Sequence, residues 1–284
     1  MSTRLRRFEG RSAIVTGASR GIGAATARRL AAEGADVVIT ARTLDEHPTL
    51  PGSLRETADG LRRFGGQVHV VRADLGDADD RSTIVSQATE LLGRPVDILV
   101  NNAAAAIYQP LIDFPLKRRR LTFEINVHAP MDLAQAALPG MIERGEGWIV
   151  NVSSATAHRW EPPFTLGSLG SSTGIYGASK AALDRMTNAL GAECAGTGVR
   201  INTVEPRSAV LSEGAESLVG TTLTADQIES MEVMVEALTA LCACPADRTG
   251  RSHVSLDLIA ELGIVVHDLD GLPMDGPPRT EHRR

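Results

Sequence analysis

Cysteine is scarce: Cys194, Cys242 and Cys244 are the only three in 284 residues. So few, and an odd number, give no disulfide framework, and a reducing cytoplasmic setting is expected. Cys242-Ala-Cys244 has no second pair and no histidine cluster beside it, so no metal site is expected. No run of about 18 apolar residues is present to span a bilayer, so no membrane role is expected. The opening MSTRLRRFEG has no apolar stretch behind it and does not read as a signal peptide. The net charge of −6 disfavours a general nucleic-acid binder. Aromatics are 3% of the chain, so no stacking platform identifies a ligand class. Among 29 basic residues only Lys117 and Lys180 are lysines, and the only tyrosines are Tyr108 and Tyr176.

What is present is a globular composition, 43% apolar, on a chain long enough to bury a full core. Short apolar runs alternate with helix-period segments. The candidate strands are SAIVT (12–16), DVVIT (36–40), QVHVV (67–71), VDILV (96–100), GWIVNV (147–152), VRINTV (199–204) and SHVSL (252–256). They are apolar throughout, as strands buried on both faces are. The fold expected is α/β: a doubly wound, mostly parallel seven-stranded sheet with helices on both faces, a Rossmann fold. There is no internal repeat or low-complexity linker. Residues 1–270 read as one dinucleotide-binding and catalytic domain, and 271–284 as a polar tail. EPPFTLGSLGSSTG (161–174) reads as a loop, and SEGAESLVGTTLTADQ (212–227) as a flexible crossover. The Met and Leu stripe in MEVMVEALTALC (231–242) reads as a core helix.

The first run leads into TGASRGIG (16–23) and then an Ala-rich helix. Gly17 permits a tight turn, while Gly21 and Gly23 let the backbone approach a pyrophosphate at a helix N-terminus. Strand before and helix after are the context that gives a glycine triplet meaning. The second strand ends in Ala41-Arg42-Thr43, where a carboxylate would hold the adenosine ribose of NAD. Arg42 can instead grip a 2′-phosphate, and Arg20 can approach the same group. NADP is therefore the expected cofactor. Asp45 and Glu46 follow closely and keep NAD open.

With these motifs, the sequence resembles the short-chain dehydrogenase/reductase family over roughly residues 8–257. TGASRGIG, ADL (73–75), NNAA (101–104), Asn126 in EINVHAP, NVSS (151–154), YGASK (176–180) and EPR (205–207) appear in the family's order. The resemblance implies hydride transfer between NADP(H) and a small-molecule carbonyl or alcohol, by a homodimer or homotetramer packed through its long helices. It implies Tyr176 as acid–base, Lys180 on the nicotinamide ribose, Ser154 (with Ser153 its neighbour) on the substrate oxygen, and Asn126 on a relay water. Cofactor contacts are implied for Gly17, Ser19, Arg20, Gly21, Ile22, Gly23, Arg42, Asp74, Leu75, Asn102, Ala103, Tyr176, Lys180, Pro206, Val210 and Ser212. Asp74 would accept from the adenine amine with Leu75 against the ring; it could also cap the helix before GDADDRS. Tyr176 and Lys180, at i and i+4, share a helix face. A phenol with pKa near ~10 is a poor acid–base at neutral pH, and an adjacent ammonium would lower it.

Three positions depart from the family pattern. Ser154 and Tyr176 lie 22 residues apart, more than is usual, so an insertion falls in 158–172, with Trp160, Phe164 and Leu166 as candidate pocket lining. Arg207 stands where glycine is usual; it could meet an anionic substrate or the cofactor phosphates, or face solvent. Leu258-Ile259 replace the usual glycine pair. LKRRR (116–120) reads as a solvated helix face, and His47, His69, His128 and His158 carry no assigned chemistry. A nucleotide-binding regulatory protein with little turnover is the other class these departures allow.

Overall fold

Residues 4–164, 172–212, 223–224 and 227–274 are described by a computed structural model. The strands are β1 (Ser12–Thr16), β2 (Asp36–Ala41), β3 (Val68–Arg72), β4 (Ile98–Asn101), β5 (Gly147–Val152), β6 (Val199–Glu205), β7 (Ala209–Val210), β8 (Ile228–Glu229) and β9 (Ser252–Val254). Seven form one sheet in the order β3-β2-β1-β4-β5-β6-β9, and every pairing in it is parallel. The strand order reverses between β1 and β4, with β1 Ala13 opposite β4 Ile98. β7 and β8 form a separate parallel pair.

The helices are α1 (Gly21–Ala32), α2 (Leu54–Arg62), α3 (Ala78–Ser82), α4 (Ile84–Leu92), α5 (Leu116–Phe123), α6 (Ala129–Arg144), α7 (Gly174–Glu193), α8 (Met231–Leu241) and α9 (Ser255–Leu262). They cover both faces because each strand alternates its side chains between two apolar layers. Ala13, Val15, Val37 and Ile39 pack with α1, α2, α8 and α9. Ile14, Val38, Leu99 and Ile149 pack with α4, α6 and α7. Local chemistry sets the ends: Ser53 accepts from Glu56 N to start α2, Ser230 accepts from Val233 N to start α8, and Gly93 and Gly145 close α4 and α6 in the left-handed region.

The seventh strand is shorter than the sequence suggests. It stops at Val254, and Ser255 begins α9, which buries Leu258 and Ile259 in the core. That is why no glycine pair is needed there. Leu166, most of 212–227 and residues 275–284 lie outside the described residues. Residues 271–274 are tied down: Leu5 N donates to Gly271 O, and His267 pairs with Pro273 across a short bridge.

Candidate active site

A cleft of about 670 Å³ opens at the carboxyl ends of the strands, around the reversal of strand order. Every expected catalytic and cofactor-binding residue lines it except Gly23 and Asn126. Gly17 and Gly21 have φ of +66° and +58°, which favours glycine. Gly23 matters for a different reason: a Cβ there would sit 2.5 Å from Gly17 O and 2.4 Å from Asn102 Nδ2. The loop is held from β4. Asn102 Nδ2 donates to Thr16 O at 2.9 Å, and Thr16 Oγ1 accepts from Asn102 N and Ala103 N. Arg20 stands at the α1 N-cap without a side-chain cap, and no acid lies in the first turn. A glycine-built backbone cradle at a helix N-terminus fits a dinucleotide pyrophosphate.

Arg42, Asp74 and Leu75 meet at one end of the cleft, with Arg42 Nη1 3.8 Å from Asp74 Oδ2 and its side chain largely exposed. Arg20 does not reach out as expected: its Nε and Nη2 donate to Pro51 O and Gly52 O, fastening α1 to the following loop. Asp45 pairs with Arg55 and stays out of the cleft. Asp74 caps no helix. Its Oδ1 accepts from Gly76 N in a turn, and Asp77 caps α3 instead.

Tyr176 and Lys180 face the cleft from α7, and Ser154 faces it from the turn after β5. Ser154 and Tyr176 line the cleft together. The Ser154 Oγ accepts from Thr156 N and Oγ1. Lys180 is buried, with Nζ donating to Val152 O at 2.7 Å and lying 5.7 Å from the centre of the Tyr176 ring. Burial raises the phenol above its ordinary value and Tyr108 adds to the rise, while the neighbouring Ser154 hydroxyl opposes it. Burial also pushes the lysine down to about 8. The lowering of the phenol expected from the ammonium is not among the causes acting on it; desolvation dominates. Asn126 lies in a single π-helical turn, 124–128, and is buried. Its Oδ1 accepts from Ala105 N at 2.7 Å and its Nδ2 donates to Ser179 Oγ at 2.9 Å.

Arg207 does not enter the cleft. Its guanidinium pairs with Asp257 on α9, and among the described residues none but glycine has positive φ, so position 207 needs no glycine. The turn after β6, which brings Pro206, Val210 and Ser212 to the cleft, is held by Glu229. That buried carboxylate accepts from Arg207 N and Ser255 Oγ, while β8 pairs with β7. The motifs missed Glu229, Thr16 and Tyr108. The Tyr108 ring meets that of Tyr176 edge-on at 5.6 Å, and the rarity of tyrosine was its only signal. His158 lies 2.6 Å from Glu205 at the end of β6. Of the proposed insertion lining, Trp160 and Phe164 are exposed and do not line the cleft. Among the described residues no helix is long and apolar enough to cross a membrane.

Residues 11–219 match the family described as short chain dehydrogenase. A short chain dehydrogenase of Pseudocercospora fijiensis is 36% identical over 81% of this chain and 70% of its own length. The ketoacyl reductase HetN of a Nostoc species is 35% identical over 69% of this chain and 63% of its own length. The chain thus spans less than two thirds of that relative. The crystal structure of a 3-oxoacyl (acyl-carrier-protein) reductase from Agrobacterium tumefaciens, with NADP bound, superposes with a TM-score of 0.72 at 30% identity, covering 87% of this chain and 93% of that one. A parallel sheet with its cleft at the strand reversal, a glycine cradle, and a Ser–Tyr–Lys set in that cleft accompany these likenesses: the chain belongs to the short-chain dehydrogenase family of NAD(P)-dependent oxidoreductases.

Proposed function

We propose that the protein interconverts a carbonyl and an alcohol with NADP(H), residues 1–270 acting as one unit. The observation that carries the reading is that Ser154, Tyr176 and Lys180 line the glycine cradle's cleft together, with the Lys180 ammonium 5.7 Å from the centre of the Tyr176 ring. NADPH, when bound, would supply the hydride for the carbonyl carbon. Tyr176 donates its phenolic proton to the oxygen as the C=O π bond gives way to new C–H and O–H bonds. Ser154 donates to the same oxygen and stabilises the charge developing there. Lys180 holds the nicotinamide ribose and supplies the positive charge that draws down the buried phenol. Asn126 fixes the backbone at Ala105 and holds a water that relays protons through Lys180.

Arg42 supports NADP(H): it follows β2 at the cleft with its guanidinium mostly solvated, where Asp45 is taken up by Arg55. NAD(H) is the second reading, favoured by the commitment of Arg20 to Pro51 and Gly52. A cytoplasmic homodimer or homotetramer belongs to the same proposal, supported by exposed Leu116 and Leu121 on α5 and Ile142 on α6.

One set of titrations tests this reading. Wild type should bind NADPH more tightly than NADH, and Arg42→Ala should cut that preference roughly 10–100-fold. Tyr176→Phe should keep NADPH affinity yet lose about 10²–10⁴-fold in ketone reduction. Equal reduction rates in wild type and Tyr176→Phe would refute the assigned acid, and tighter NADH binding would refute the cofactor.

A further inference from the structure

The segment between β2 and α2 is built more tightly than a surface connection needs. It is closed at its base, where Leu54 N donates to Thr43 O at 3.0 Å and Arg55 N to Leu44 O at 3.1 Å. It is also docked on the glycine cradle. Arg20 Nε donates to Pro51 O at 2.8 Å and its Nη2 to Gly52 O at 3.0 Å. Gly52 has φ of +89°, and a Cβ there would sit 2.6 Å from Ser19 O, so the two backbones touch.

His47 stands within this docked segment. Its Nδ1 accepts from Thr49 N and from Leu50 N, both at 3.2 Å. A ring nitrogen that accepts from backbone N–H groups carries no proton, so the ring proton sits on Nε2, and Nε2 is the donor the ring has to offer. His47 lines the cleft, and with Arg42 and Thr43 it also lines a recess of about 470 Å³ beside it. Arg72 lines the recess too, and its Nε donates to Arg42 O at 3.2 Å, which steadies the backbone that carries the Arg42 guanidinium. Two carboxylates share that wall: Asp45, 2.5 Å from Arg55, and exposed Glu46.

We propose that His47 is a second ligand of the cofactor's 2′-phosphate, donating from Nε2 to the phosphomonoester that Arg42 meets from the end of β2. This deepens the reading above and rests on its choice of NADP(H). The two residues act differently. Arg42 supplies charge from a side chain that is 62% exposed, where water and salt screen it. The imidazole N–H, held in place by two backbone bonds, adds a directed donor, and a hydrogen bond to an ionised oxygen is stronger than one to a neutral group. NADH has a hydroxyl in place of that anion, so the donor discriminates between the two cofactors. The bonds of Arg20 to Pro51 and Gly52 then position the segment that carries the ligand.

His47→Asn separates the donor from the scaffold. The Asn Oδ1 can accept from Thr49 N, as in an Asx turn, but no donor extends as far as Nε2. By calorimetry, wild type should bind adenosine 2′,5′-bisphosphate more tightly than adenosine 5′-monophosphate, and NADPH more tightly than NADH. His47→Asn should lose about 10-fold in affinity for the two 2′-phosphorylated compounds and stay within about twofold of wild type for the other two. Undiminished affinity for the 2′-phosphorylated pair overturns the inference and leaves the NADP(H) reading standing. An equal loss for all four compounds overturns it as well, because the residue then only shapes the loop. If wild type prefers NADH, the cofactor reading itself fails and the inference falls with it.

Discussion

Glycines 23 and 60 both sit in helices, yet the same added methyl group should act oppositely on them. At Gly23 it would collide with Gly17 O and with the Asn102 amide that holds the loop. Neither is the loose end of a flexible chain, so the turn must open. Gly23→Ala should destabilise by about 1–3 kcal/mol and weaken NADPH binding at least tenfold, read by calorimetry and thermal melts. At Gly60, in α2, nothing lies within 4 Å. Gly60→Ala should gain about 0.5–1 kcal/mol through helix propensity and leave cofactor binding alone. Tight NADPH binding by Gly23→Ala would contradict the close-approach argument. Gly23, Ser154, Tyr176 and Lys180 were legible because each sits in a short local motif. Glu229 was not, because it acts on Arg207 N across 22 positions and no local pattern marks it. The bonds of Arg20 were not legible for a related reason: the carbonyls of Pro51 and Gly52 that its guanidinium meets come from a distant loop.

Between elements, the His158–Glu205 pair joins the turn after β5 to the end of β6. Thr156 and Pro206, two residues before His158 and one after Glu205, both line the cleft, so the pair fixes two of its walls. The hydrogen bond and charge of Glu205 raise the imidazole above its ordinary 6.5, with Asp184 on α7 adding to the rise. The pair's stabilisation is thus fully present below about pH 6.5 and fades as pH rises through the raised value. Because His158 is largely exposed, about 0.5–1 kcal/mol is expected. Wild type should melt about 2–4 °C above His158→Gln at pH 6, with the gap closing by about pH 9. A gap that widens with pH would exclude the ion pair. At this scale the strands were read well, since runs buried on both faces leave an unbroken apolar signal. The end of β9 was not, since SHVSL suits a strand equally. Contacts decide it: the Ser255 hydroxyl donates to Glu229, and Leu258 and Ile259 are drawn into the core on α9.

Across the whole molecule, the segment around Arg7 and residues 267–268 meet on a buried charge network at the far end of α1. Arg29 is fully buried and pairs with Glu33 and Glu236, and its Nη1 donates to Asp268 O at 2.7 Å. Arg7 bridges the same two carboxylates, and His267 N donates to Glu236. Helix α1, helix α8, the N-terminal segment and residues 267–268 are thus bound together by ions that the sequence pattern did not reveal, since Arg29 and Glu236 are 207 positions apart. Burial alone would raise Glu33, but Arg7 and Arg29 outweigh it and hold the carboxyl below its ordinary 4.5. The network's contribution is therefore fully present above about pH 4.5 and is lost as pH falls through the depressed value. Arg29→Met leaves two buried carboxylates sharing Arg7, a loss of about 3–5 kcal/mol, or roughly 10 °C in melting temperature at pH 7. Arg29→Met with Glu236→Leu should cost less than the sum of the two single changes, because each removes a charge the other leaves stranded. NADPH affinity of the folded variants should stay within about threefold of wild type, since Arg29 lies roughly 12 Å along α1 from Gly21. A loss of cofactor binding that matches the loss of stability would mean the network shapes the cradle as well as the fold.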